Sequence, residues 1–201
     1  MSTAKSLSRL FLPFALVAAL TASAQSVEVA SGTYQLDPTH TNVLVQWNHM
    51  GFSNPVAHFG VSQGTLVYNA EDISQSSVEV TLPLSALNSF SSDFDKHLSS
   101  ADFFDAAQFP EITFKSTQVV AAEQANALTV TGDLTVKGTT KPVTLNVTIN
   151  GAGEHPMAKV PTVGFDATTS FKRSDFGLGA YAPVVSDELK LSITTEAKQA
   201  K

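Results

Sequence analysis

No cysteine occurs anywhere in this chain of 201 residues. That excludes disulfides, thiol catalysis, cysteine-ligated zinc and a lipid-modified N-terminal cysteine, so the fold must be held by its core alone. Basic residues are scarce as well, twelve against eighteen acidic ones. Two of the twelve, Lys5 and Arg9, fall in the first 24 residues, so the rest of the chain carries ten against the same eighteen, a formal charge of −8. A surface of that sign repels phosphate backbones and anionic lipid heads, which excludes nucleic acid as a partner class. Long apolar runs are missing too. The longest, residues 10–20, is about half of the ~20 residues that a membrane-spanning helix needs, and no stable membrane insertion is expected. Neither a Walker A loop nor a G-x-G-x-x-G motif is present, and no order of Ser, His and Asp stands out as a triad. One tryptophan and three tyrosines stand against thirteen phenylalanines, so the aromatic content is overwhelmingly apolar.

The N-terminal stretch has the three-part layout of a secretory signal peptide. Lys5 and Arg9 precede the apolar run, and Ala22-Ser23-Ala24 offers a small-residue cleavage site before Gln25. Residues 1–24 are therefore expected to direct export to the periplasm and be removed, leaving residues 25–201 as one domain. A retained membrane anchor is the alternative.

Periodicity in the remainder is that of strands. Leu128, Val130, Leu134 and Val136 alternate with polar residues, and beyond residues 138–142 the parity flips to Val143, Leu145, Val147 and Ile149. Side chains alternate faces along a strand, so these halves read as an antiparallel hairpin with one buried face. Gly132 interrupts that face, as expected for a bend or a close approach at a barrel wall. Further strands are expected around residues 33–36, 40–48, 57–69, 78–82, 112–120, 163–171 and 185–193, with Asp37-Pro38 as a turn and a kink at Gly64. Leu44 breaks the parity of Val43, Val45 and Trp47, which suggests a strand covered on both sides. Between the fourth and fifth strands, Leu87, Phe90, Phe94 and Leu98 recur at helical spacing, with Ser92 and Asp95 as a capping pair. Residues 25–31 read as a frayed lead-in and residues 151–161 as a loop. Many short strands with one helical insertion favour a barrel or a sandwich, and a barrel of eight strands either fills with side chains or holds one small ligand.

Four blocks resemble the YceI-like family: YQLDPTHTNV from Tyr34, HLSSADFFDAAQFPEITFKS from His97, LTVTGDLTVKGTTKPVTLNV from Leu128 and FKRSDFGLG from Phe171. The resemblance implies an all-β fold, an eight-stranded antiparallel lipocalin-like barrel around an elongated apolar cavity. It also implies binding of a polyisoprenoid lipid, of quinone or polyprenyl phosphate type, as carrier or reservoir and without catalysis; no cofactor or metal is expected. A small periplasmic enzyme acting on a lipid in the same cavity, and a stress-response structural module with a filled core, are the alternatives. Ligand identity and oligomeric state, a homodimer included, are left open.

Parity places Trp47, Phe59, Phe114, Leu134, Leu145 and Phe165 on the inward face, as candidate ligand-binding residues. Phe94 and Phe104 of the insertion are candidates for the same tunnel, or else anchor the insertion across the barrel mouth. Arg173 is the candidate for a polar or anionic head group, since a guanidinium matches phosphate in a bidentate way. The competing reading pairs it with Asp175 or Asp37 as a loop staple. His40 and His49 have opposite parity; His49 and His58 flank a turn and could meet, but two ligands without a third make a poor metal site. Asp93, Asp95, Asp102 and Asp105 sit near helix starts, where negative charge complements the dipole.

Overall fold

A computed structural model describes residues 26–200; the expected signal peptide lies outside the described residues. Alternation of apolar and polar side chains is realised in eleven strand segments of a single antiparallel sheet. They are β1 (Gly32–Leu36), β2 (Asn42–Gln46), β3 (Val56–Phe59), β4 (Gln63–Tyr68), β5 (Ser77–Pro83), β6 (Leu87–Asn88), β7 (Glu111–Ala121), β8 (Ala127–Val136), β9 (Thr139–Glu154), β10 (Pro161–Lys172) and β11 (Glu188–Gln199). The first six are halves of three bent strands. β1 and β2 both run along β11, β4 and β3 pair with them in turn, and β5 and β6 follow. With β7 to β11 the result is a closed eight-stranded barrel, sealed where Tyr34 of β1 faces Gln199 of β11. The helix α1 (Ser92–Ser99) stands between the strands expected as fourth and fifth, β5 and β7, just after the two-residue β6.

The hairpin of β8 and β9 forms as expected, with Val130 facing Leu145 across the ladder. Its turn is tighter than residues 138–142, since only Lys137 and Gly138 stand outside the strands, both at positive φ (49° and 71°). That geometry matches the right-handed twist of a two-residue hairpin. Gly132 is a close approach: an added Cβ would lie 2.6 Å from the Lys115 carbonyl and collide with the Phe114 ring. The ladder opposite it shifts register between Ser116 and Gln118, a bulge that bends the wall.

Several expectations need correction. Leu44 is 39% exposed, so β2 is covered on one side only. The parity change near Gly64 comes from a break between β3 and β4, while Gly64 itself admits Leu36, whose Cδ2 would be 2.6 Å from an added Cβ. Strand β9 continues through Gly151 and Gly153, which face Gly164 and Thr162, and shortens the loop to residues 155–160. The lead-in is anchored: Val29 is buried and the Val27 amide donates to Asn126 Oδ1 at 2.7 Å. Helix α1 is capped by Ser91, one residue earlier than expected; its Oγ accepts from the Phe94 amide, and Asp95 Oδ1 accepts from Ser89 N at 2.6 Å.

Pro38 cannot continue a ladder, and the corner it makes between β1 and β2 is stapled by Asp37. Lys198 Nζ lies 2.6 Å and His40 Nδ1 2.7 Å from Asp37 Oδ2, while the Thr39 amide and hydroxyl donate to Oδ1. These contacts, Lys198 foremost, hold the carboxyl far below the usual carboxylate range. A depressed folded pKa contributes stability above the unfolded value of about 3.9 and loses it as pH falls toward the folded one. Acidification from about pH 5 to about pH 2 should therefore lower the melting temperature of the wild type more steeply than that of Asp37→Asn. The variant should start about 1–2 kcal/mol lower near neutrality. Equal slopes in the two proteins would remove Asp37 as the acid-sensitive group.

Candidate functional site

The inward faces of the strands do not meet. They enclose an elongated cavity of about 220 Å³. Val43 and Val45 of β2, Val80 and Leu82 of β5, Val130 of β8 and Leu191 of β11 are typical of its wall. At the α1 end it is covered by Phe104, Phe176 and Leu178; toward the other it reaches Tyr68, Ile73 and Ser76. A second cluster, Val29, Tyr34, Ile149, Val163, Phe165 and Ala197, packs at the end where the described chain begins and finishes. Burial raises the pKa of Tyr34, whose hydroxyl donates to the Ala30 carbonyl at 2.8 Å. Tyr68, also raised by burial, places its side chain on the cavity wall.

Among the residues lining the cavity there is no Asp, Glu, Lys, Arg or His. The polar residues among them, Thr41, Tyr68, Ser76, Ser77, Thr169 and Thr195, carry only hydroxyls, and the surface they present to the cavity is apolar. Some are already engaged: Thr41 Oγ1 and Thr195 Oγ1 are 2.7 Å apart, and Ser76 Oγ accepts from the Asn69 amide. Such a wall recognises shape and apolar surface, with few groups to orient a polar end.

The structure brings Phe59, Phe104, Phe114, Leu134, Leu145 and Phe165 to the cavity wall. Phe104 packs edge-on to Phe59, with ring centroids 5.8 Å apart, so the insertion both closes the barrel and lines its interior. Trp47 and Phe94 are not on the wall; they pack on each other with centroids at 5.8 Å, between β2 and α1. Trp47 lies just beyond Gln46, where the β2 ladder ends.

Arg173 also lies off the wall. It is 7% exposed, and its guanidinium is spent on main-chain carbonyls. Nε donates to Ser186 O at 2.9 Å, one terminal nitrogen to Leu178 O and to Ala180 O (2.7 Å), the other to Val185 O at 2.9 Å. Burial draws its pKa below the usual guanidinium value, and nearby Asp187 opposes this. The arginine is thus a staple, but of the segment before β11 and through carbonyls, where Asp175 or Asp37 had been expected as partner. Asp187 accepts instead from the Ser174 amide and hydroxyl (2.9 and 2.7 Å), which lowers its pKa.

Two other clusters bear on chemistry. No G-x-S-x-G elbow was expected, yet residues 60–64, Gly-Val-Ser-Gln-Gly, match its spacing. Ser62 is exposed between two strands and its hydroxyl donates to the Thr81 carbonyl at 3.3 Å, with neither the strand-to-helix turn nor a base that such an elbow needs. Asp37, His40 and Glu196 come close enough to share a cation, but Lys198 already occupies the Asp37 carboxylate. Tyr68 and Thr169 share the inward parity of their strands and line the cavity, although the sequence does not single them out as site residues.

A closed antiparallel barrel with a continuous apolar cavity and a helical cover defines a protein class whose site is its interior. The chain belongs to the YceI-like family: that domain matches residues 34–197. A UPF0312 protein of Pseudomonas syringae pv. tomato is 36% identical over 197 residues, which cover 98% of each chain. Among solved structures, BcnA of Burkholderia cenocepacia is similar with a TM-score of 0.71 and 25% identity, over 80% of this chain and 98% of that one. A polyisoprenoid binding domain from Saccharophagus degradans shares the fold at a TM-score of 0.58 and 12% identity, over 83% and 98% of the two chains.

Proposed function

We propose that the protein is exported and binds a polyisoprenoid lipid in its barrel, as a periplasmic carrier or reservoir that does not transform its ligand. The observation that carries this reading is the cavity wall, whose surface is apolar throughout. Left unfilled, a void of about 220 Å³ costs about 5 kcal/mol at ~24 cal/mol per Å³, comparable to the net stability of a small domain. A ligand that fills it recovers much of that. The Saccharophagus degradans domain, described as polyisoprenoid-binding, has the same fold, and this supports the assignment.

Wall chemistry narrows the head group. A phosphate drawn inside would lose its hydration with no cation in reach, whereas neutral quinone carbonyls cost far less to strip of water. A quinone-type lipid therefore suits the interior, and a polyprenyl phosphate would keep its head outside the wall. Each isoprene unit removed from water contributes roughly 3–4 kcal/mol, so several units approach the practical affinity ceiling of about 18–21 kcal/mol. Against a bilayer that advantage largely vanishes, which suits reversible loading.

Mass spectrometry of an organic extract of the natively purified protein tests the proposal. A prenylated lipid at near-stoichiometric amount is expected, and stripping it should lower the melting temperature. An extract holding only straight-chain fatty acids, or no lipid at all, would overturn the assignment.

A further inference from the structure

The α1 end of the barrel carries an apolar surface that the cavity does not use. Met50 and Phe52 in the β2–β3 connection, Phe90 before α1, and Tyr181 and Val184 before β11 are all exposed there. Phe52 is 89% and Phe90 70% exposed, so these side chains project from the surface and do not line a groove. Residues 47–55, 88–92 and 177–186 contain no Asp, Glu, Lys or Arg, in a chain with thirty such residues. The β2–β3 connection and the one before β11 are fastened together. His49 bridges to Ser53 and Val185, and Asn48 and Ser186 exchange two hydrogen bonds, each of 2.9 Å. Rings tie them to the helix: Trp47, Phe94, His97, Phe103 and Tyr181 follow one another at centroid spacings of 5.8, 6.0, 4.7 and 6.2 Å.

We infer that this rim docks on a phospholipid bilayer, with Phe52, Met50, Tyr181 and Val184 inserted at the level of the headgroups and first acyl carbons. The inference rests on the lipid-carrier reading above and gives it a place of exchange. Two of the three segments that bear the exposed residues also close the cavity: Phe104 belongs to the insertion with Phe90, and Phe176 and Leu178 lead into Tyr181 and Val184. Moving those segments in contact with a bilayer would open the cavity onto hydrocarbon and spare the chain a passage through water. Projecting aromatic and aliphatic side chains on uncharged loops suit a fluid interface, where amphipathic Tyr is also favoured. Electrostatic attraction is not the driving force. The neighbouring insertion holds Asp93, Asp95, Asp102 and Asp105 against Lys96, and the whole chain is acidic.

Trp47, the single tryptophan, borders the rim and serves as a reporter. The wild type should float with uncharged phosphatidylcholine vesicles at low and high salt alike, and brominated acyl chains in those vesicles should quench its fluorescence. Phe52→Asp combined with Val184→Asp should lower the vesicle-bound fraction by about tenfold or more. The melting temperature and the uptake of a prenylated quinone supplied in detergent should stay as in the wild type. Absent flotation of the wild type, undiminished flotation of the variant, or binding abolished by salt would each overturn the inference. So would a wild-type dimer lost in the variant without any flotation, which would assign the rim to a second copy. A protein that floats but yields no isoprenoid on extraction refutes the ligand assignment alone, and one that holds isoprenoid without floating refutes the docking alone.

Discussion

Arg173→Ala should destabilise the protein by about 4 kcal/mol or more, while any molecules that remain folded retain lipid normally. The guanidinium gathers four carbonyls, of Leu178, Ala180, Val185 and Ser186, and so shapes the connection between β10 and β11. A hydrogen bond to a charged group contributes about 1.5–3 kcal/mol, and a buried carbonyl left without a donor costs about 1–3 kcal/mol. Water entering the vacated space offsets part of that sum. Arg173→Lys keeps the charge but replaces a planar fork by one ammonium, which cannot span acceptors drawn from residues 178–186, so it should recover less than half of the loss. Urea denaturation and bound-lipid stoichiometry of both variants decide the matter. An unchanged melting temperature with lost lipid would return Arg173 to the role of head-group ligand.

Leu145→Asp should cost a similar amount for a different reason, about 3–5 kcal/mol with lipid retention abolished. Leu145 projects from β9 into the cavity, while the next residue, Asn146, is exposed on the outer face, so Asn146→Asp should be nearly silent. Burial favours the neutral acid and raises the folded pKa of the introduced carboxyl. The deficit relative to wild type should therefore be smallest near pH 4, where lost apolar contact and a buried neutral acid remain, and grow as pH rises toward that raised value. A Leu145→Asp protein that melts within a few degrees of wild type at pH 8 and still carries lipid would refute the cavity assignment.

Much of the wall was legible from alternation alone. Phe59, Phe114, Leu134, Leu145 and Phe165 all face the cavity because a period of two leaves an inward residue no other choice once the strand is in register. Trp47 obeyed the same parity but lies past the end of the β2 ladder, where pairing no longer dictates direction. Bent strands were harder to read. β1 and β2 look like separate elements around Asp37-Pro38, and only their shared partner, β11, shows that they are one. The role of Arg173 was illegible for a plainer reason: its acceptors are main-chain carbonyls, which every residue possesses, so no side chain in the sequence marks them.

The seam between the first and last strands has a temporal consequence. Tyr34 cannot find Gln199 until nearly the whole chain has been made. Until then β1 and β10 each lack a neighbour, and an apolar strip lies open along the incomplete sheet. Closure between such distant positions makes for slow folding, on the order of milliseconds to seconds for small all-β domains. With no disulfide to trap a partial structure, the intermediate depends on being shielded from other copies of itself. Loss of the last dozen residues would then leave a curled sheet with two adhesive margins, prone to pair with its neighbours.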